Sequence, residues 1–366
     1  MIDKKEISKR QKIARRVFYA LFAIFMIGVL AFTIYKDFGT GKKILSFKEI
    51  LEVVGKNYHY LLFALISLIA YIFLEVLKIF MMLYVSTKRA MFKVATSTVM
   101  MGKYYDNITP LGVGGQPFQA YKLTQNGVDG GTATAIPISS LFLSQIAFFI
   151  VSLVAIIIDK NGLLGSQSIA TGYTEVLFYI GIVLIMIVPF LVILFFILPR
   201  QVMGMVTFVV KILSKLKLVK NPEVMKYKVI VAVKKYYRAI KLMARSKGCL
   251  LVGFITSLLI PIASGSITYF TLRTFGYDIL NLSGIMEWGQ IVCAHLILTC
   301  SVSFIPTPGN AGVSEITFYS LFTANLLGGI GITAMLTWRF FIYYFFIIYG
   351  LITLTKGIFK KKKALI

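Results

Sequence analysis

Acidic residues are scarce in this chain: 14 Asp and Glu stand against 39 Lys and Arg, and only three cysteines and two histidines occur among 366 residues. The shortage of histidine and cysteine argues against a zinc centre. His59 and His295 would need acidic help, and Cys249, Cys293 and Cys300 lack paired metal spacing. An odd number of thiols, all in or beside apolar segments, reads as small buried hydrophobes and not as a disulfide framework. Also missing are a phosphate-binding loop, a dinucleotide fingerprint and any legible set of nucleophile, base and orienter. No polar stretch is long enough for a soluble catalytic domain, so the chain is expected to carry no catalytic residue, no metal, no cofactor and no ATP-driven pump activity of its own.

What the chain has in abundance is apolar length. Hydrophobic residues make up 58% of it, and several apolar runs exceed the roughly 18 residues that mark a membrane-crossing helix. The expected fold class is an all-α polytopic membrane protein, one membrane domain over residues 1–366. Full spans are expected near residues 17–36, 58–85, 132–158, 174–198, 248–272 and 329–355, about six in all. The first run is long enough to span and no small-residue cleavage site follows it, so no cleavable signal is expected. The net charge of +25 does not point to nucleic acid, because the basic residues sit between and beside the apolar runs, where they report topology and anionic lipid.

Charge sets the expected orientation. Lys4, Lys5, Lys9, Arg10, Lys12, Arg15 and Arg16 place the N-terminal tail in the cytoplasm, and Lys356 with Lys360 to Lys363 place the C-terminus there too. Residues 199–247 carry thirteen basic residues against the single acid Glu223. They form an expected cytoplasmic linker, read either as an interfacial amphipathic helix pair or as an ordinary basic loop. The linker separates a first half, residues 1–198, from a second half, residues 248–366.

Each half contains one broken apolar region, about 94–121 and about 284–327. Thr109-Pro110-Leu111-Gly112-Val113-Gly114-Gly115 in the first is echoed by Thr307-Pro308-Gly309-Asn310-Ala311-Gly312-Val313 in the second. Proline and glycine at membrane depth interrupt the backbone hydrogen bonds of a helix, which survives only if the break is buried in protein or lines a wet cavity. With both termini inside, each region must make an even number of crossings. The economical reading is two re-entrant hairpins entering from opposite sides, related as an inverted repeat, the pattern of a transporter binding site. Gly114 and Gly312 are expected to match, at positions where a side chain would meet a forbidden backbone angle or fill the cavity. The exposed helix N-terminus beside Gly114 and Gly115 is expected to offer free N–H groups to a phosphate.

Ionisable residues at membrane depth are costly and mark functional groups by default. They are Glu75, Lys78, Lys103, Asp106, Glu287, Glu315 and Arg339. The spacing of Glu75 with Lys78, and of Lys103 with Asp106, allows each pair to share a helix face and neutralise itself. Glu315 and Arg339 lack a local partner; they are expected either to hold a charged headgroup or to pair with one another. Glu287 is assigned to the interface. Gln116, Gln119 and Gln145 add neutral polar groups. The candidate headgroup-binding set is therefore Lys78, Lys103, Asp106, Gln116, Gln119, Glu315 and Arg339.

Three elements carry a resemblance to a known family: Asn107-Ile108-Thr109-Pro110 through Gly114-Gly115-Gln116-Pro117-Phe118-Gln119-Ala120-Tyr121, then Pro306-Thr307-Pro308-Gly309 through Gly312-Val313-Ser314-Glu315, and Trp338-Arg339. They resemble the membrane domain of the bacterial lysylphosphatidylglycerol synthase/flippase family, along essentially the whole chain. The resemblance implies a multi-helix lipid-handling domain with re-entrant helices that moves aminoacylated or other modified lipids to the outer leaflet. Full-length members also carry a soluble domain that transfers lysine to phosphatidylglycerol; this chain stops at Ile366, so a synthase label is expected to lack its catalytic part. Lys78 stands where members often have arginine, whose bidentate fork is then lost.

The expected function is a flippase for a lysylphosphatidylglycerol-like aminolipid, contributing to resistance against cationic antimicrobial peptides. The alternatives are a translocase for polyprenyl-phosphate sugar or another glycolipid, and a membrane subunit of a phosphatidylglycerol lysyltransferase. Expected partners are the bilayer of a bacterial cell membrane, an anionic or aminoacylated phospholipid and a separate lipid-modifying enzyme; self-association into a homo-oligomer is left open.

Overall fold

The computed structural model describes residues 46–110, 112, 114–160, 173–187, 246–277, 284–322 and 330–363, together with isolated positions between 189 and 245. The expected first span, the basic N-terminal tail and the amphipathic reading of the linker lie outside the described residues.

The described residues form helices and no named strand: α1 (Phe47–Lys56), α2 (Tyr58–Thr87), α3 (Phe92–Ile108), α4 (Gly115–Gln125), α5 (Gly130–Lys160), α6 (Tyr173–Ile185), α7 (Lys247–Thr274), α8 (Gly284–Val302), α9 (Val313–Phe322), α10 (Ile330–Arg339) and α11 (Phe345–Lys363). A π-helical turn, Phe340–Tyr344, joins the last two into one rod. The chain is an all-α polytopic membrane protein. Four expected spans recur among the helices long and apolar enough to cross a membrane, at Tyr58–Thr87, Gly130–Ile158, Lys247–Thr274 and Ile330–Leu354. The fifth such helix is α8, the first arm of the second broken region; its 19 residues give about 28 Å of rise, enough for most of the bilayer core.

Local chemistry accounts for the helix ends. Ser46 and Glu49 form a reciprocal capping box at the start of α1, with the Glu49 N–H donating to Ser46 Oγ (3.3 Å) and the Ser46 N–H donating to Glu49 Oε2 (2.7 Å). α2 stops at Lys88, which takes a left-handed conformation (φ 59°). Along α2, Leu62, Ile66, Ile69 and Phe73 repeat at helical spacing and are exposed, as expected of a face turned to lipid tails. α2 packs along α7, and α8 packs against α5, α6 and α7.

Each broken region has its own apolar core. Val76, Ile79 and Leu83 of α2, Val99 of α3, Leu123 of α4 and Ile136 of α5 enclose the first. Leu272 of α7, Ile291 and Leu298 of α8, Phe318 and Phe322 of α9 and Trp338 of α10 enclose the second. The breaks themselves meet: Pro110 and Pro308 face one another in an isolated antiparallel bridge. The Asn107 side-chain N–H donates across the same joint to the carbonyl of Tyr343 in the π-turn (3.3 Å).

The matching of Gly114 with Gly312 is corrected by the backbone. Gly312 has φ 91°, whereas Gly114 has an ordinary right-handed conformation (φ −77°). The positive φ of the first break falls on Gly112 (62°). Gly114 is constrained by crowding instead: a Cβ there would fall against the Thr109 side chain and the Tyr105 carbonyl.

Candidate functional site

A cavity of about 460 Å³ opens where the two halves come together, bordered by Gly112 from the first break and Asn310 from the second. Its volume is in the roughly 300–1,000 Å³ range of small-molecule sites. The two walls differ in chemistry. On the first-half side stand Tyr71, Glu75, Lys78, Lys103, Asp106, Gln116, Gln119, Ser144 and Gln145; on the other stand Ser257, Ser264, His295, Thr299 and Ser303.

The charged wall is organised around Glu75. Its Oε2 pairs with Lys78 Nζ at 3.0 Å and its Oε1 with Lys103 Nζ at 2.8 Å. Lys78 is 1% exposed and is tolerated because Nζ also donates to Ser144 Oγ of α5 (2.6 Å). Lys103 is more open, 26% exposed, with its ammonium 4.9 Å above the Tyr71 ring centre. The expected Glu75–Lys78 pair is thus present, but the expected Lys103–Asp106 pair is replaced. Lys103 turns across to α2, and Asp106 turns forward, its Oδ1 accepting the N–H of Gly115 (2.8 Å).

That last bond changes the reading of the first break. The Gly114 N–H donates to Thr109 Oγ1 (2.9 Å), whose own hydroxyl donates to the Tyr105 carbonyl (2.7 Å). The two N–H groups expected to be free for a phosphate are therefore occupied by the hairpin's first arm, and a carboxylate already sits on the positive end of α4. Gln119 fills the space left by Gly102, where a Cβ would fall on its side chain.

The second break is held differently. Glu315 Oε2 accepts the N–H of Gly312 (2.6 Å), capping its own helix α9. Arg339 pairs with the same carboxylate through Nε (2.6 Å) and Nη2 (2.8 Å), and it donates to the carbonyls of Gly309 (3.3 Å) and Asn310 (3.4 Å). Glu315 is 4% and Arg339 3% exposed, and neither borders the cavity. Of the seven headgroup candidates, the structure brings together Lys78, Lys103, Asp106, Gln116 and Gln119; Glu315 and Arg339 form a separate buried clamp on Gly309, Asn310 and Gly312.

Glu287, in the first turn of α8, is buried and pairs with Arg273 in the last turn of α7 at 3.2 Å. Sequence reasoning passed over Glu75 as a site residue, weighed His295 only as a metal ligand, and passed over Ser264 and Thr299 entirely. A signal existed for the last group, since Ser264 and Thr268, and likewise His295 and Thr299, are four residues apart and share a helix face.

Comparisons with known proteins agree with this architecture. The family described as Lysylphosphatidylglycerol synthase TM region matches residues 17–350. A protein named UPF0104 membrane protein from Archaeoglobus fulgidus is 25% identical over 271 residues, 72% of this chain and 76% of that relative. Both broken regions, both cavity walls and the buried clamp fall inside the family match, so this chain belongs to the family of lysylphosphatidylglycerol synthase transmembrane regions.

Proposed function

We propose that this protein is a lipid translocase whose cavity receives a phospholipid headgroup while the acyl chains remain in the bilayer. The observation that carries the reading is the placement of four charged side chains, Glu75, Lys78, Lys103 and Asp106, in one cavity bordered by both helix breaks. Lys103 is the group for the phosphate: it and Lys78 share a single carboxylate, leaving positive charge for an anion. Asp106 uses one oxygen on Gly115, and its second oxygen suits an ammonium. An aminoacylated headgroup, lysylphosphatidylglycerol-like, satisfies both.

In this reading the two broken regions enter from opposite faces of the cell membrane, both termini are cytoplasmic, and the lipid moves to the outer leaflet. An aminolipid delivered there adds positive surface charge and weakens the attraction of cationic antimicrobial peptides. A second headgroup class, a polyprenyl-phosphate sugar or glycolipid, is favoured by the uncharged hydroxyl and amide groups of Ser257, Ser264, Gln116 and Gln119 in the same lining. A separate lipid-modifying enzyme would supply the substrate.

The test is outer-leaflet appearance of a labelled aminolipid in proteoliposomes. Lys103→Ala is expected to slow it by about ten- to a hundredfold, the worth of one charge-assisted hydrogen bond of roughly 1.5–3 kcal/mol. Glu75 keeps Lys78 as its partner in that variant, so folding is expected to persist. A rate equal to that of the wild type would remove Lys103 from the pathway.

A further inference from the structure

We propose that Ser264, His295 and Thr299 form a second subsite, in the uncharged lining of the same cavity, that recognises the free hydroxyls of a polyol headgroup. The proposal rests on the translocase reading and adds to it what the uncharged wall selects.

His295 is buried at 3% exposure yet borders the cavity, and the hydrogen bonds of its ring go only to hydroxyls. Nε2 lies 3.0 Å from Ser264 Oγ and 3.4 Å from Thr299 Oγ1, and Nδ1 lies 2.8 Å from Thr268 Oγ1. Most serine and threonine hydroxyls of α7 satisfy themselves on their own helix. Thr256, Ser257, Ser266 and Thr274 each donate back to the carbonyl four residues earlier, at 2.7 to 2.9 Å, the ordinary arrangement for such side chains inside a helix. Ser264 and Thr268 depart from it and turn to the imidazole.

The consequence is an adaptable polar surface. A neutral imidazole donates from one nitrogen and accepts at the other, while a hydroxyl has one donor and two acceptor positions. The Ser264 hydroxyl can therefore accept from the ring and donate into the cavity, or donate to the ring and accept from the cavity. Pro261, which also borders the cavity, lacks an N–H and releases the Ser257 carbonyl from the helix ladder, adding an acceptor one turn away. Hydroxyls, each both donor and acceptor, use both capacities of such a wall; an ethanolamine ammonium, which can only donate, uses its acceptors alone.

The inference is tested by reconstituting the full chain with equal amounts of phosphatidylglycerol, phosphatidylinositol and phosphatidylethanolamine, and measuring the lipid retained after purification by mass spectrometry. The wild type is expected to retain the two polyol lipids over the ethanolamine lipid. Ser264→Ala is expected to lower that preference about fivefold, the worth of one neutral hydrogen bond. His295→Asn is expected to lower it further, and Thr268→Val, which removes only the hydroxyl on Nδ1, provides a reading should the histidine variant fail to fold. A dominant glycerol lipid over inositol would identify a linear polyol head, the reverse a cyclic polyol head, and both support the subsite. A preference unchanged in Ser264→Ala and Thr268→Val would overturn the subsite and leave the translocase reading standing; wild-type protein that retains no phospholipid would overturn both.

Discussion

Replacing Arg339 with alanine is expected to destabilise the folded protein by about 3–5 kcal/mol, the cost of breaking a buried ion pair from one side. Glu315 would be left as an uncompensated carboxylate at 4% exposure, and the carbonyls of Gly309 and Asn310 would lose their donor. The guanidinium also lies 5.1 Å from the Trp338 and 5.3 Å from the Tyr343 ring centres, so packing is lost together with charge. Thermal unfolding in detergent reads the effect. A charge-free double variant, Glu315→Gln with Arg339→Met, is expected to recover much of the loss, because the buried charge disappears with its partner. If Arg339→Ala were as stable as the wild type and deficient only in transport, the pair would belong to the headgroup site after all.

Gly309→Leu is expected to stop transport. A Cβ at this position would fall on the Tyr343 ring and 3.1 Å from the Asn107 carbonyl oxygen, and the backbone there has φ 56°, a conformation that costs a side-chain-bearing residue about 1–2 kcal/mol. The added side chain must part the joint at which Pro110 meets Pro308, and overpacking of this kind costs a further 1–3 kcal/mol or so. Gly127 provides the control. Its φ is 79° but no atom lies within 4 Å of its Cβ position, so Gly127→Ala pays the backbone cost alone, and its transport is expected to stay near that of the wild type. Gly309→Leu with normal aminolipid movement would show that the two breaks need not touch for the protein to work.

The two breaks were legible because proline and glycine inside apolar runs have few other uses, and their echo in the second half marked them as a pair. The partners of the charged residues were harder to read. Lys103 and Asp106 share a helix face, yet each has a better partner elsewhere: Glu75 belongs to a different helix, and the Gly115 N–H exists only once the chain has turned. Local spacing carries no information about either. Glu315 is a different case. Three residues after Gly312 it stands at the capping position of its helix, a signal that was present in the sequence and outweighed by the expectation that an isolated charge in a membrane binds a ligand. Ser264 escaped notice because single hydroxyl residues in apolar runs ordinarily satisfy themselves on the nearest carbonyl, and only the folded chain shows that Ser264 turns to His295 instead.

The central claim is that a headgroup passes through the cavity between the two breaks, and blocking that cavity tests it most directly. Gln145 borders the cavity, and the three native cysteines are buried, so Gln145→Cys supplies a selective attachment point for a bulky maleimide. Unlabelled Gln145→Cys is expected to deliver labelled aminolipid to the outer leaflet of proteoliposomes, and the fully labelled protein is expected to deliver none above the protein-free rate. Full labelling with undiminished delivery would contradict the account and place the lipid path elsewhere on the protein.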